Sequence, residues 1–141
     1  MCTPIGRKKV DIVLAGSQSG TITLDKGNLN FYQIFQYSFL LGISPDIVIL
    51  CVNTYDNIDY IRRTICFIEA AGDCKVIALV LFPVEQKEHE NNIGIDKVPM
   101  MREECLKYLK EFQVEFQRPV YQLNFESDMQ LLFNNIIEYY S

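Results

Sequence analysis

Two short segments rich in hydroxyl, amide and carboxylate side chains are the parts of this chain best suited to chemistry. The first, Gly16–Thr21, combines two glycines with serine and threonine hydroxyls. Glycine permits positive φ, and hydroxyls together with backbone N–H groups can surround an oxyanion such as a phosphate. The predicted ligand-binding residues here are Gly16, Ser17, Gln18, Ser19, Gly20 and Thr21. The alternative is a connection without a ligand; a Walker A loop is excluded because no Gly-Lys-Ser/Thr ending follows.

The second segment, Asn53–Asn57, directly follows a strongly apolar run. Its amide and carboxylate side chains are suited to recognising a substrate amide or to holding a hard cation through water. The predicted ligand-binding residues of this segment are Asn53, Tyr55 and Asp56. The alternative interpretation is a turn in which Asp56 or Asn57 caps the following helix.

No catalytic constellation can be assembled from the sequence. It contains no Gly-x-Ser-x-Gly elbow and no convincing pair of nucleophile and base. The five cysteines are scattered without a C-x-x-C pair, and the single histidine, His89, lies in a polar stretch. We therefore predict no metal site, since the usual zinc ligand pattern is missing. Whether the protein is an enzyme, and which cofactor it uses, stay open at this point.

The elements that must position these segments alternate between strands and helices. Four β-branched, largely apolar runs predict strands over residues 10–15, 46–52, 75–82 and 119–125. Nearly continuous apolar runs are typical of strands covered on both faces, as in a parallel sheet. Helices are predicted over 31–41, ended by Gly42; from Asp56 or Asn57 to Gly72; from Pro99 onward; and from a Ser127 cap onward. The polar stretch from Glu85 to Val98 is predicted to be a surface loop.

Four consecutive βα units predict an α/β fold, a three-layer α/β/α sandwich with a mainly parallel sheet of about four strands. Such a fold is Rossmann-like or P-loop-like, with right-handed crossovers. Ligands bind such sheets at the carboxyl ends of the strands, where Gly16–Thr21 and Asn53–Asn57 are expected to lie. Gln36, on the first helix, is expected to face the first of these segments. A free sheet edge would be a template for self-association, so a homodimer is also predicted.

Composition restricts the classes of protein to which the chain can belong. Its 141 residues predict one domain over 1–141, with 49% hydrophobic and 22% charged residues. The formal net charge of −5 disfavours nucleic acid as a partner, because such binders carry basic patches. No stretch has the length and apolar character of a transmembrane helix, so no membrane association is expected. An odd number of scattered cysteines favours free thiols and therefore a cytoplasmic protein.

Six stretches of the chain resemble a clostridial family of peptide maturation system proteins that occur beside bacteriocin-type peptide clusters. They are Ala15–Thr21, Gly27–Leu29, Gln36–Gly42, Pro45–Asp56, Ile58–Thr64 and Lys75–Pro83. The resemblance implies an accessory role in maturing a ribosomal peptide, with maturation proteins or the precursor peptide as partners. It also implies that the chain corresponds to the C-terminal portion of a longer architecture.

Two more distant resemblances give alternative functions. Gly16–Ser19 and Pro45–Cys51 are similar to segments in the C-terminal half of P-loop-type domains from a family related to D-amino-acid N-acetyltransferases. This resemblance implies half of a nucleotide-dependent enzyme. Gly16–Thr21 also looks like the FMN phosphate loop of flavodoxins, which implies an FMN-binding protein. The first hypothesis remains an accessory domain that binds a partner or a small anionic ligand at its strand-end loops.

Overall fold

Helices and strands alternate along the chain in the computed structural model, which describes residues 12–17, 22, 31–88 and 95–141. Within these residues there are four helices and five strands. The helices are α1 (Phe31–Ile43), α2 (Ile58–Gly72), α3 (Arg102–Phe116) and α4 (Glu126–Tyr139). The strands are β1 (Ile47–Asn53), β2 (Lys75–Phe82), β3 (Val84–Glu88), β4 (Ile95–Pro99) and β5 (Val120–Tyr121). None of the helices described has the length and apolar character needed to cross a membrane.

Three of the strands form a parallel sheet in the order β1-β2-β5. The central strand β2 is buried from Val76 to Leu81, because it has a neighbour on each side and helices on both faces. The predicted α/β class and parallel pairing are confirmed for these three strands. Strand β1 runs alongside β2 over its whole length, from the pair Ile47–Lys75 to the pair Asn53–Phe82.

The two faces of this sheet are covered unequally. On one face, α2 and α3 contribute the larger core cluster, whose buried residues include Ile61, Ile65, Ile68, Cys105 and Phe112. On the other face, α4 contributes one buried residue, Leu132, with Ile136 partly buried beside it. The apolar stripes of α2 and α3 therefore bury more surface than α4 does, and hydrophobic burial concentrates the packing energy on the first face.

The predicted first strand, residues 10–15, is wrong for the residues that the structure describes. Residues 12–15 have no strand pairing, and residues 10 and 11 lie outside the description. The side chains of Val13 and Leu14 are 80% and 85% exposed. An apolar β-branched run becomes a strand only when its backbone groups join a ladder, and this one has not joined the sheet.

The polar stretch predicted as a loop from Glu85 to Val98 is instead mostly an antiparallel hairpin. Strands β3 and β4 pair from Val84–Pro99 to Glu88–Ile95, while residues 89–94 between them are not described. Pro99, predicted to open the third helix, is the last residue of β4, and α3 begins at Arg102. Most of the hairpin's described side chains are exposed, so no apolar alternation marked it in the sequence.

Several predicted ends of elements also differ from the structure. Gly42 lies inside α1, and the residue with positive φ after that helix is Ser44. The predicted strand 119–125 is only two residues long, because the Gln122 N–H turns to the Asp128 carboxylate, at 2.9 Å, instead of continuing the ladder. Ser127 lies in the first turn of α4 and is not its cap, since that helix begins at Glu126.

Asn57 is the N-cap of α2, which confirms one of the two residues predicted for that role. Its side-chain oxygen accepts the backbone N–H groups of Asp59 and Tyr60 at 2.8 and 3.3 Å. We expect Asn57→Ala to lower the free energy of unfolding by about 1 kcal/mol, because two N–H groups lose their acceptor. Urea denaturation measures the loss. Asn57→Asp, which keeps a capping oxygen, is the control, and an equal loss in both variants would contradict the capping role.

Candidate functional site

A cavity of about 940 Å³ lies along β1, which is one of the two edge strands of the described parallel sheet. The whole of β1 contributes to its lining, from Ile47 to Asn53. Residues 12–15 line it as well, together with parts of α1, α2 and the end of α4. A volume of this order lies in the range found for ligand-binding clefts. The cavity reaches both faces of the sheet, because its lining includes Ile61 of α2 and Ile136 of α4.

The turn after β1 brings Asn53 and Asp56 to the carboxyl end of this cavity. One carboxylate oxygen of Asp56 accepts the Asn53 backbone N–H at 2.7 Å and the Asn53 side-chain amide at 3.3 Å. The Asp56 N–H in turn donates to the Asn53 carbonyl at 3.2 Å. These bonds give both residues the turn-forming role that was the alternative interpretation, while both side chains still line the cavity. Tyr55, predicted with them, is not among the lining residues.

Only part of the predicted segment Gly16–Thr21 is described. Ser17 lines the cavity, and its hydroxyl is hydrogen-bonded to the side-chain oxygen of Gln36, as expected from the sequence. Gly16 does not have positive φ, and a Cβ built on it would meet open space. Its backbone conformation therefore does not require glycine. The other predicted residues, Gln18, Ser19, Gly20 and Thr21, lie outside the described residues.

Tyr60 and Thr54 connect this end of the cavity to other parts of the chain by hydrogen bonds. Neither residue was predicted from the sequence. The Tyr60 hydroxyl donates to the carbonyl of Ile22 at 3.3 Å, which ties the N-terminal part of the chain to the first turn of α2. Burial and the nearby Asp56 carboxylate raise the pKa of Tyr60, so it stays a neutral donor. The buried Thr54 hydroxyl donates to the Val84 carbonyl and so joins the turn to the hairpin.

The charged side chains that line the cavity are acidic. Among the described lining residues, Asp46 and Asp56 are the charged ones, and they lie just before and just after β1. The Tyr140 hydroxyl donates to the Asp46 carboxylate at a distance of 3.5 Å. The described lining holds these two carboxylates and no lysine or arginine, which favours a neutral or cationic group over an anion. Of the two predicted ligand classes, the small anion is the one that these charges disfavour.

The Cys51 thiol of the site is not activated as a nucleophile. Cys51 lies on β1, is exposed and lines the cavity. Desolvation raises the pKa of its thiol, so the thiolate that acts as a nucleophile is disfavoured at neutral pH. In the parts of the chain that the structure describes, no three His, Cys, Asp or Glu side chains come together as metal ligands would.

Comparison of the chain with protein-family models, with curated proteins and with solved structures finds no match. Three features of the chain itself bear on its function: the edge of β1, the cavity along it, and the two carboxylates at its ends. All three belong to the same surface.

Proposed function

We propose that this protein is a cytoplasmic accessory protein of a bacteriocin-type peptide maturation system, and that it binds an extended segment of the precursor peptide along β1. The observation that carries the proposal is the edge of β1. Within the described residues, β1 pairs with β2 on one side, and the cavity occupies its other side. We further propose that the three parallel strands are the centre of a Rossmann-like sandwich, in which helices on both faces leave this edge accessible.

The backbone of β1 supplies the affinity in this proposal. An edge strand presents a row of N–H and C=O groups that have no ladder partner, and these groups can pair with an added strand. Peptide recognition by strand addition uses such main-chain hydrogen bonds, and pockets for alternate side chains give the specificity. The seven residues of β1 provide an edge as long as a typical strand.

The side chains around β1 indicate which residues the bound peptide should contain. The outer part of the cavity is apolar and includes Phe39, Ile43 and Phe82, which are 41%, 39% and 47% exposed. Apolar residues of the peptide would remove these side chains from water. Asp46 and Asp56 would attract a lysine or arginine at either end of the bound segment. The proposed ligand is therefore an extended apolar peptide with a basic residue next to its apolar part.

Binding of synthetic peptides, followed by fluorescence anisotropy, tests this function. The probe is a peptide of alternating valine and threonine with one terminal lysine, and the matched peptide carries glutamate instead. We expect the lysine peptide to bind more tightly and added salt to reduce the difference, because salt screens exposed charges. Equal binding of the two peptides would contradict the acidic site. Binding of ATP or FMN without binding of either peptide would replace the proposal by a nucleotide or flavin function.

The variant Asp56→Asn tests the negative charge of Asp56 separately from its role in forming the turn. Asparagine keeps an oxygen that can accept the Asn53 N–H, but it removes the negative charge. We expect this variant to weaken binding of the lysine peptide about three- to five-fold and to leave the glutamate peptide unaffected or slightly favoured. Asp73→Asn is the matched control, since Asp73 is exposed, ends α2 with a positive φ that asparagine tolerates, and does not line the cavity.

A further inference from the structure

We propose that residues 12–15, called here the N-terminal strap, close onto the β1 edge as a fourth parallel strand and compete with the partner for that edge. The closure is inferred from the fold alone. The competition rests on the proposed function. The occupant that the proposal commits to is this segment of the chain itself, which already lines the cavity beside β1.

The strap is chemically suited to that edge. It reads Ile-Val-Leu-Ala, a run of residues typical of a strand covered on both faces. In the described state Val13 and Leu14 are 80% and 85% exposed, and Ile12 is 43% exposed. Consecutive side chains of a strand point to opposite faces, so closure would cover apolar surface on both sides of the sheet. The cavity along β1 likewise reaches both faces.

Two contacts fix the direction of the strap relative to β1. Ser17, two residues after the strap, is hydrogen-bonded to Gln36, in the first half of α1. The Ile22 carbonyl accepts the hydroxyl of Tyr60, in the first turn of α2, which begins just after the carboxyl end of β1. The chain beyond the strap is thus attached near the carboxyl end of β1. The strap runs towards that end, which is the direction required for parallel pairing.

The handedness of crossovers places the strap on the free side of β1. From β1 to β2 to β5 the chain crosses the sheet in one direction, with α2 and α3 on the same face. α1 lies on that face too, since Leu40 packs against the same core cluster and the rings of Tyr37 and Phe67 are 5.5 Å apart. Parallel crossovers are almost always right-handed. A strand connected to β1 through α1 must therefore lie on the side of β1 away from β2.

Two neighbouring proline variants test the closure, Val13→Pro and Leu14→Pro. Successive N–H groups of a strand point to opposite sides, and an edge strand tolerates proline only where its N–H faces solvent. The variant whose lost N–H points towards β1 should break the pairing. The variant whose lost N–H points towards solvent should keep the pairing and is the matched control. The first readout is amide hydrogen exchange of β1. We expect β1 amides to lose protection in one variant and to keep it in the other. Equal protection in the wild-type protein and both variants would overturn the closure.

The second readout, binding of the lysine peptide, tests the competition separately. If the closed form makes up about nine-tenths of the population, the variant that breaks pairing should bind about ten-fold more tightly than the wild-type protein. Unchanged affinity in that variant overturns the competition, while peptide binding itself still supports the proposed function. A loss of β1 protection without binding of any peptide supports the closure and overturns the peptide function.

Discussion

Phe112→Ala is expected to lower the free energy of unfolding by about 3–5 kcal/mol. Phe112 is 2% exposed and lies in the larger core cluster. Its ring makes edge-on contacts with Tyr108 and Phe116, with centroid distances of 6.5 and 5.7 Å. Truncation loses the burial of the ring and leaves a cavity in the larger core cluster. Since natural domains are stable by about 5–15 kcal/mol, the variant should approach the unfolding threshold, as urea denaturation followed by circular dichroism would show.

Phe133→Ala in α4 is the matched control for this prediction. Phe133 is 54% exposed, so removing its ring changes little buried surface, and we expect a loss below about 1 kcal/mol. Both rings lie at helical spacing from other apolar residues of their helices, whereas the structure buries only the one in α3. Equal losses in the two variants would contradict the unequal coverage of the two faces of the sheet.

The elements predicted well from the sequence are those whose apolar pattern matches the surfaces that they bury. Strand β2 is predicted with its observed bounds, because its covered residues make one continuous apolar run between Lys75 and Pro83. Helix α2 is predicted because Ile61, Ile65 and Ile68 recur at helical spacing and Asn57 caps it. In both cases the local pattern and the tertiary environment require the same conformation.

The elements predicted wrongly depend on neighbours that the local pattern does not specify. Residues 12–15 are as apolar as a buried strand but do not pair in the described structure, because an apolar run does not specify a ladder partner for its backbone groups. Strands β3 and β4 pair with each other while their described side chains are largely exposed, so no apolar period reveals them. Met129, Phe133 and Ile137 fit a helical stripe but stay exposed, and Leu132 is the described residue of α4 that is buried.

Some residues of the candidate site were likewise predictable from the local sequence, and others were not. Asn53 and Asp56 could be found from the sequence, because ligands bind at the carboxyl ends of parallel strands. Tyr60 and Thr54 could not, since their partners, the carbonyls of Ile22 and Val84, are 38 and 30 residues away in the sequence. The acidic character of the cavity could not be predicted from the sequence either. Asp46 and Asp56 lie at opposite ends of the cavity only because β1 extends between them.

Arg118→Ala should lower the free energy of unfolding by about 2–3 kcal/mol, because Arg118 joins three parts of the fold. Its guanidinium donates to the Val76 carbonyl at 2.6 Å and to both carboxylate oxygens of Glu69, at 3.0 and 3.3 Å. Glu69 also accepts the Val76 N–H at 3.0 Å. The end of α2, the start of β2 and the approach to β5 are thereby linked. Removing the guanidinium leaves the Glu69 charge and the Val76 carbonyl without that donor.

Arg62→Ala is the matched control, since Arg62 also contacts two carboxylates, those of Asp59 and Glu115. The Arg62 side chain is 51% exposed, against 23% for Arg118. Exposed ion pairs contribute little because water screens them, so we expect a loss below about 1 kcal/mol. Equal losses in the two arginine variants, measured by urea denaturation, would contradict a specific role for the Arg118 contacts.

The dependence of this effect on pH follows from Glu69. Burial raises the pKa of that carboxyl, but the hydrogen bonds from Arg118 and from the Val76 N–H outweigh burial and hold its pKa below the ordinary value of 4.5. The unfolded chain therefore binds this proton more readily than the folded chain, and the stabilisation by ionised Glu69 is fully present above the ordinary pKa. It is lost as the pH falls through the lower, folded value. The difference in stability between the wild-type protein and Arg118→Ala should accordingly narrow when urea denaturation is repeated at pH values from neutral to below 4.5. A difference that stays constant over that range would mean that Arg118 stabilises the fold through the Val76 carbonyl alone.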